Sequence, residues 1–153
     1  MPLTLQAAVL AKRRAMNYDF QKPHTRRLIR TLFEILSQQK GAPDLQIREF
    51  DNLTSTVQVL ADAPCRVYAL VLTKETAATN FTKADDSATA VSGTAPMFQV
   101  EMNETKKEVA FIWPDGWTQA TGFSIAAHNE ADSATPTSPA AGDGPRGFAI
   151  IGG

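Results

Sequence analysis

The spacing of apolar residues changes along the chain, and the change divides the chain into two parts. Between Pro23 and Lys40 apolar residues recur at the spacing of one helix face. Pro23 suits the first turn of a helix and Gly41 suits its C-terminal cap. The stripe comprises Leu28, Ile29, Leu32, Phe33, Ile35 and Leu36. From Leu45 onward the period becomes two, which is typical of β-strands.

Short alternating or apolar runs predict a series of strands after residue 44. They lie around Leu45–Phe50, Leu53–Val59, Val67–Leu72, Phe81, Phe98–Met102, Val109–Trp113, Gly122–Ala127 and Phe148–Ile151. Predicted breaks fall at Asp62–Pro64, Lys83–Ser87, Ser92–Pro96 and Pro114–Gly116. The run Val67–Leu72 is apolar on both faces, which predicts a strand covered on both sides.

These patterns together predict a fold class and two parts of the chain. The fold is mainly β, an antiparallel β-sandwich of jelly-roll-like type preceded by an extended arm and one α-helix. Residues 1–43 form the basic N-terminal arm and helix, and residues 44–153 form the β-sandwich domain. The apolar stripe of the helix has two possible uses: it packs on its own domain or on a neighbouring subunit.

Charge is distributed unevenly between the two parts. Residues 1–40 carry eight basic and two acidic side chains, whereas residues 41–153 carry seven basic and fourteen acidic ones. A basic arm on an acidic body favours contact with an acidic surface or with nucleic acid. A solvated helix face beside an acidic domain explains the same asymmetry.

Few residues in the sequence suggest catalysis or metal binding. The histidines, His24 and His128, are not accompanied by a nucleophile motif, and Cys65 is expected to be a small buried apolar residue. His128, Glu130 and Asp132 would face one side of an extended segment and could hold a divalent ion, but we interpret them instead as the polar entry to a loop. We therefore expect neither an enzyme nor a metal or other cofactor.

Six short motifs of strand and turn residues follow one another along the second part of the chain. They are Arg66–Leu70, Thr94–Val100, Trp113–Gly116, Thr121–Ala126, Asp132–Thr135 and Ala141–Asp143. In this order the sequence resembles a β-sandwich domain that is common among small structural proteins of tailed bacteriophages and prophages. The resemblance covers roughly residues 62–151 and rests on turn and strand residues.

This resemblance implies a non-enzymatic virion protein that decorates or cements the capsid surface after synthesis in the host cytoplasm. Its expected partners are the major capsid protein and copies of itself, in a homo-oligomer such as a trimer. Neither nucleic acid nor a membrane is the expected partner. The expected interface residues are Arg13, Arg14, Arg26, Arg27, Arg30, Leu28, Leu32, Phe33 and Leu36.

Two alternatives remain open. In one, the chain is a tail-fibre or host-recognition module whose polar loop, residues 128–147, binds a receptor or glycan. This loop is rich in Ala, Ser, Thr, Pro and Gly, and it is either a surface loop that binds or a mobile excursion. In the other, the basic arm of an inner-shell protein contacts nucleic acid.

Overall fold

The described part of the protein, residues 45–152 of a computed structural model, is mainly β. It contains two antiparallel four-stranded sheets and no helix. The strands are β1 Gln46–Phe50, β2 Gln58–Ala61, β3 Cys65–Thr73, β4 Asn80–Asp85, β5 Phe98–Met102, β6 Glu108–Gln119, β7 Phe123–His128 and β8 Arg146–Gly152. The predicted β-class is confirmed, whereas the predicted arm and helix lie outside the described residues.

The strand pairings are nested. The first sheet has the order β1-β8-β3-β6 and the second the order β2-β7-β4-β5. Thus β4 pairs with β5, β3 with β6, β2 with β7 and β1 with β8. Such nesting is what results when one long hairpin is rolled up. The further pairs β3–β8 and β4–β7 complete the first and the second four-stranded sheet.

One apolar cluster contains side chains from both sheets. Because side chains alternate along a strand, one face of each sheet supplies every second residue. Leu70 and Leu72 of β3 belong to this cluster, as do Phe123 and Ile125 of β7, and all four are fully buried. We call it the inner core. Cys65 belongs to it, as expected, and burial raises the pKa of its thiol, with a smaller contribution from Asp86.

Two predicted strand boundaries were wrong. The segment Lys83–Ser87 was expected to end a strand, but Lys83 and Ala84 lie inside β4, because Ala84 fills the inner core and both residues pair with strands on either side. Leu53 was expected to begin a strand. It lies instead in the connection before β2, where its backbone N–H donates to the carbonyl of Pro145 at 2.8 Å.

The predicted turn at Pro114–Gly116 was also wrong. These residues lie within β6 and bulge out opposite Tyr68, since Val67 pairs with Trp117 while Ala69 already pairs with Ile112. Gly116 has a φ of 76°, which favours glycine, and a Cβ there would lie 3.0 Å from the Tyr68 ring. The Pro-Asp-Gly sequence therefore makes a bulge inside one strand rather than a turn between two.

Candidate interaction surfaces

The first sheet is apolar on its outward face as well. A second cluster, which we call the outer cluster, consists of Tyr68, Ala69, Val71, Phe148 and Ile150, with Leu45, Ile47, Ala110 and Ile112 packed against it. Because β3 is apolar at consecutive positions, it contributes to both clusters. The prediction that this strand is covered on both sides agrees with the burial of its residues from Val67 to Leu72.

The register arranges the outer cluster in rows across the sheet. Ile47, Ile150, Ala69 and Ile112 face one another across all four strands of the first sheet. The next row consists of Glu49, Phe148, Val71 and Ala110. Apolar contacts between such neighbours stabilise a sheet, and here they form a continuous apolar surface.

Charged side chains occupy the end of this face beyond the apolar rows. Arg146 pairs with Thr73, which in turn pairs with Glu108. The Arg146 guanidinium lies 3.4 Å from a carboxylate oxygen of Asp51 and 3.3 Å from one of Glu75. Glu49 lies in the neighbouring row, with Phe148. Acidic side chains therefore outnumber basic ones at this end of the face, which we call the rim. The face is therefore apolar in its middle and acidic at one end.

The predicted interface residues lie outside the described residues. All nine fall between Arg13 and Leu36, so their role stays a prediction. What the structure adds is the surface that lies next to them along the chain. Leu45, the first described residue, packs against the outer cluster, so the described part of the chain begins beside the apolar face.

An aromatic cluster closes one side of the domain. Phe98 of β5 contacts Phe111 of β6 edge-on, with 4.8 Å between ring centroids, and Trp113 and Trp117 lie 4.9 Å apart. All four are half-buried and pack against the inner core. One tryptophan was expected to be core and the other an interface anchor, but both fill the gap between the edge strands β5 and β6.

Polar side chains are buried on the outward face of the second sheet. Lys83 is fully buried and its ammonium donates to the carbonyl of Gly93 at 2.5 Å. Burial lowers the pKa of Lys83, against the opposing effect of the Asp132 and Glu130 carboxylates. Nearby, burial and then the charge of Lys83 lower the pKa of His128. Within the described part of the chain, Nδ1 of His128 is buried and has no hydrogen-bond partner.

The loop that follows β7 folds over these groups. The Glu130 carboxylate accepts hydrogen bonds from the backbone N–H and the hydroxyl of Thr137, and these bonds lower its pKa. Ser133 donates its backbone N–H to the carbonyl of Gly93 at 3.2 Å, which joins this loop to the one after β4. The loop thus has an internal hydrogen-bonded structure, which supports the expectation of a surface loop over that of a mobile excursion.

The possible metal ligands do not converge. In the described residues, no group of three histidine, cysteine, aspartate or glutamate side chains lies close enough to hold a metal ion. His128 is the last residue of β7, and Glu130 is engaged by Thr137. The cluster around Lys83 and His128 was missed from the sequence, because the Lys-Ala-Asp-Asp run was interpreted as a break.

Asp85 and Asp86, expected to be a turn pair, organise the loops beside β4. Asp86 accepts hydrogen bonds from the backbone N–H groups of Ala120, Thr121 and Gly122, which lowers its pKa. Asp85 accepts from the N–H groups of Ser92 and Met97, each at 2.6 Å. Both carboxylates therefore hold connections between strands.

Comparisons with known proteins give no assignment: no protein-family model, curated protein or solved structure matches the chain significantly. Among the described residues, no helix is long and apolar enough to cross a membrane.

Proposed function

We propose that the chain is a non-enzymatic structural protein of a bacteriophage virion, and that it decorates or cements the capsid. The observation that carries the proposal is the nested pairing of eight strands in two sheets. We interpret this pairing as a jelly-roll sandwich, an architecture that occurs in viral capsid and lectin domains. The sequence resemblance to small phage structural proteins supports the same role.

In this role the basic N-terminal region makes the contact with the shell. A cement protein stabilises a shell by burying surface at junctions between subunits, which requires a protruding segment more than a cleft. The region 1–43 carries the excess of basic residues that such a segment would use on an acidic surface. Its partners are the major capsid protein and further copies of the chain, arranged with closed symmetry such as that of a trimer.

The test is a binding measurement on full-length protein and empty capsids made from the same genome. We expect Arg13→Glu combined with Arg14→Glu to weaken capsid binding at least tenfold. The matched control reverses two exposed basic residues of the domain, Arg48 and Lys106. Equal binding by both double variants, or an image of labelled particles without label on the capsid, would refute the proposal.

A second candidate is host recognition through the 128–147 loop. The observation that favours it is the hydrogen-bonded structure of this loop, which presents exposed Thr135, Thr137 and Ser138. A pre-ordered polar surface loses little entropy when it binds a glycan or a receptor. Binding to host cells that is abolished by Thr135→Arg, while capsid binding is unchanged, would favour this role over the first.

A further inference from the structure

On the outward face of the first sheet, the apolar residues of the two middle strands β8 and β3 are buried nearly as completely as the inner core, and those of the edge strands are half-buried. In the isolated chain Phe148 is 2% exposed, Ile150 1% and Ala69 0%. Side chains of one sheet stand roughly perpendicular to it, so that neighbours shield each other's flanks and leave the outward ends open. The described residues that pack on this cluster belong to the same sheet or directly precede it. Burial this complete therefore requires a cover from elsewhere in the same chain.

We propose that residues 23–40 of the same chain cover this face, with their apolar stripe packed on the outer cluster. The inference does not depend on the virion role, since it concerns contacts within one chain. It selects the first of the two uses that the sequence left open for the stripe.

The connection between the two parts is long enough for this arrangement. Four residues separate Lys40 from Leu45, and five extended steps span at most about 17 Å. The edge strand β1 lies about 7–10 Å from the middle of the sheet, and a second layer packs about 10 Å above it. The direct distance from the start of β1 to a helix above the middle of the sheet is thus about 14 Å. The connection is long enough to span this distance within one copy of the chain.

The dimensions of the face also match the segment. A helix of eighteen residues, 23–40, is about 27 Å long. β3 has nine residues and is about 30 Å long, and four strands are about 14–19 Å wide. A helix is about 10–12 Å across with its side chains, so one helix laid along the strands covers the two middle strands and leaves the edge strands partly exposed, as their half-burial requires.

Charge complements the apolar match. At 100° per residue, Arg26 lies beside Phe33 at the border of the stripe, whereas Arg27 and Arg30 lie on the opposite side of the helix. The carboxylates of Glu49 and Glu108 stand at the acidic end of the sheet face. Docking would bring Arg26 to the rim of an acidic face and direct Arg27 and Arg30 away from the domain.

The proposal divides the nine predicted interface residues into three groups, of which the first is Arg26 alone, at the acidic rim of the face. Leu28, Leu32, Phe33 and Leu36 become core residues of their own domain. The arginines at positions 13, 14, 27 and 30 remain available to a partner.

Cross-linking of full-length protein identifies the occupant of the face. In a Cys65→Ala background, Leu32→Cys is combined with Ala110→Cys, and the matched control combines Glu34→Cys with Ala110→Cys. At 100° per residue, position 32 is in the stripe and position 34 is on the opposite side of the helix. With a short bismaleimide we expect an intramolecular product that is at least fivefold more abundant for the Leu32 pair. A covalent dimer instead, or equal yields from the two pairs, would overturn the proposal.

Thiol labelling tests the cover without a cross-linker. Val71 belongs to the outer cluster and is buried, so Val71→Cys should react slowly with a maleimide in the Cys65→Ala background. We expect Leu32→Asp to accelerate this labelling at least tenfold and Gln38→Asp, on the far side of the helix, to leave it unchanged, with both proteins retaining their β-sheet circular dichroism. Labelling of Val71→Cys that is rapid from the start, or that Leu32→Asp does not accelerate, contradicts a cover by this segment.

Discussion

Replacing Ile150 with alanine tests whether the outward face of the first sheet is a second core or a sheet surface. Ile150 is 1% exposed, almost as buried as Leu70 of the inner core at 0%. Removing a fully buried isoleucine or leucine side chain to alanine costs about 2–5 kcal/mol, from lost transfer free energy and the cavity that remains. We therefore expect Ile150→Ala to lower the free energy of unfolding by about 2–5 kcal/mol, the same range that we expect for Leu70→Ala.

The control is Val59→Ala. Val59 is also in a strand but is 45% exposed, so its truncation should cost about 0.5 kcal/mol or less. Unfolding in urea at constant pH measures all three variants, and the slope of the free energy against urea shows whether the unfolding transition remains the same. A cost for Ile150→Ala no greater than that for Val59→Ala would refute the reasoning that this face is covered.

A double-mutant cycle extends the measurement to the proposed occupant. If Leu32 packs on the outer cluster, Leu32→Ala and Ile150→Ala remove parts of one contact. Their effects should then deviate from additivity by about 0.5–3 kcal/mol, whereas distant pairs add within about 0.3–0.5 kcal/mol. Leu32→Ala with Leu70→Ala is the reference pair, because Leu70 faces the inner core. Additivity in both pairs would place Leu32 away from this face.

Two further predictions concern His128, at the end of β7, and the loop before β8. Burial lowers the pKa of His128 below its ordinary value of 6.5 in the folded protein. As the pH falls, the unfolded chain therefore binds a proton before the folded protein does. The free energy of unfolding should then decrease below about pH 6.5. Between pH 7.5 and 5.5, the melting temperature of the His128→Gln variant should fall less than that of the protein with His128. Parallel curves of melting temperature against pH for the two proteins would contradict this. A Cβ on Gly144 would lie 1.9 Å from the carbonyl oxygen of Leu53, whereas one on Gly142 meets nothing within 4 Å. Thermal unfolding should therefore show a larger loss of stability for Gly144→Ala than for Gly142→Ala. The φ of 85° at Gly142 makes alanine there cost about 1–2 kcal/mol. A larger loss for Gly142→Ala would refute the assigned clash at Gly144.

Strand positions with one clear period could be predicted from the sequence. Phe98–Met102 alternates because one side of β5 faces the inner core, and Val100 and Met102 are buried as the pattern requires. The Val67–Leu72 run lacks alternation because β3 contributes to both clusters. In both cases a local pattern reports directly on the environment of the strand.

Features that depend on distant residues could not be predicted in this way. Leu53 is buried in a connection because Gly144 and Pro145, which lie far along the chain, pack against its backbone. Lys83 lies in a strand because it pairs with β5 and β7, and its ammonium can be buried there because the carbonyl of Gly93 accepts a hydrogen bond from it. The outer cluster likewise combines residues of four strands, so it becomes visible as one surface only when the register is known.

The proposals for the two outward faces of the domain bear on which part of the chain is left for the proposed contact with a partner. The second sheet buries Lys83 and His128 beneath its own loops. If residues 23–40 cover the first sheet, then the contact with a partner depends mainly on arginine charges, which salt screens within about 8–10 Å at ordinary ionic strength. The packing of the stripe is apolar and strengthens with sulfate. Raising the concentration of ammonium sulfate should therefore weaken capsid binding while Val71→Cys stays protected from labelling. A parallel loss of both would mean that the stripe itself makes the contact with the capsid.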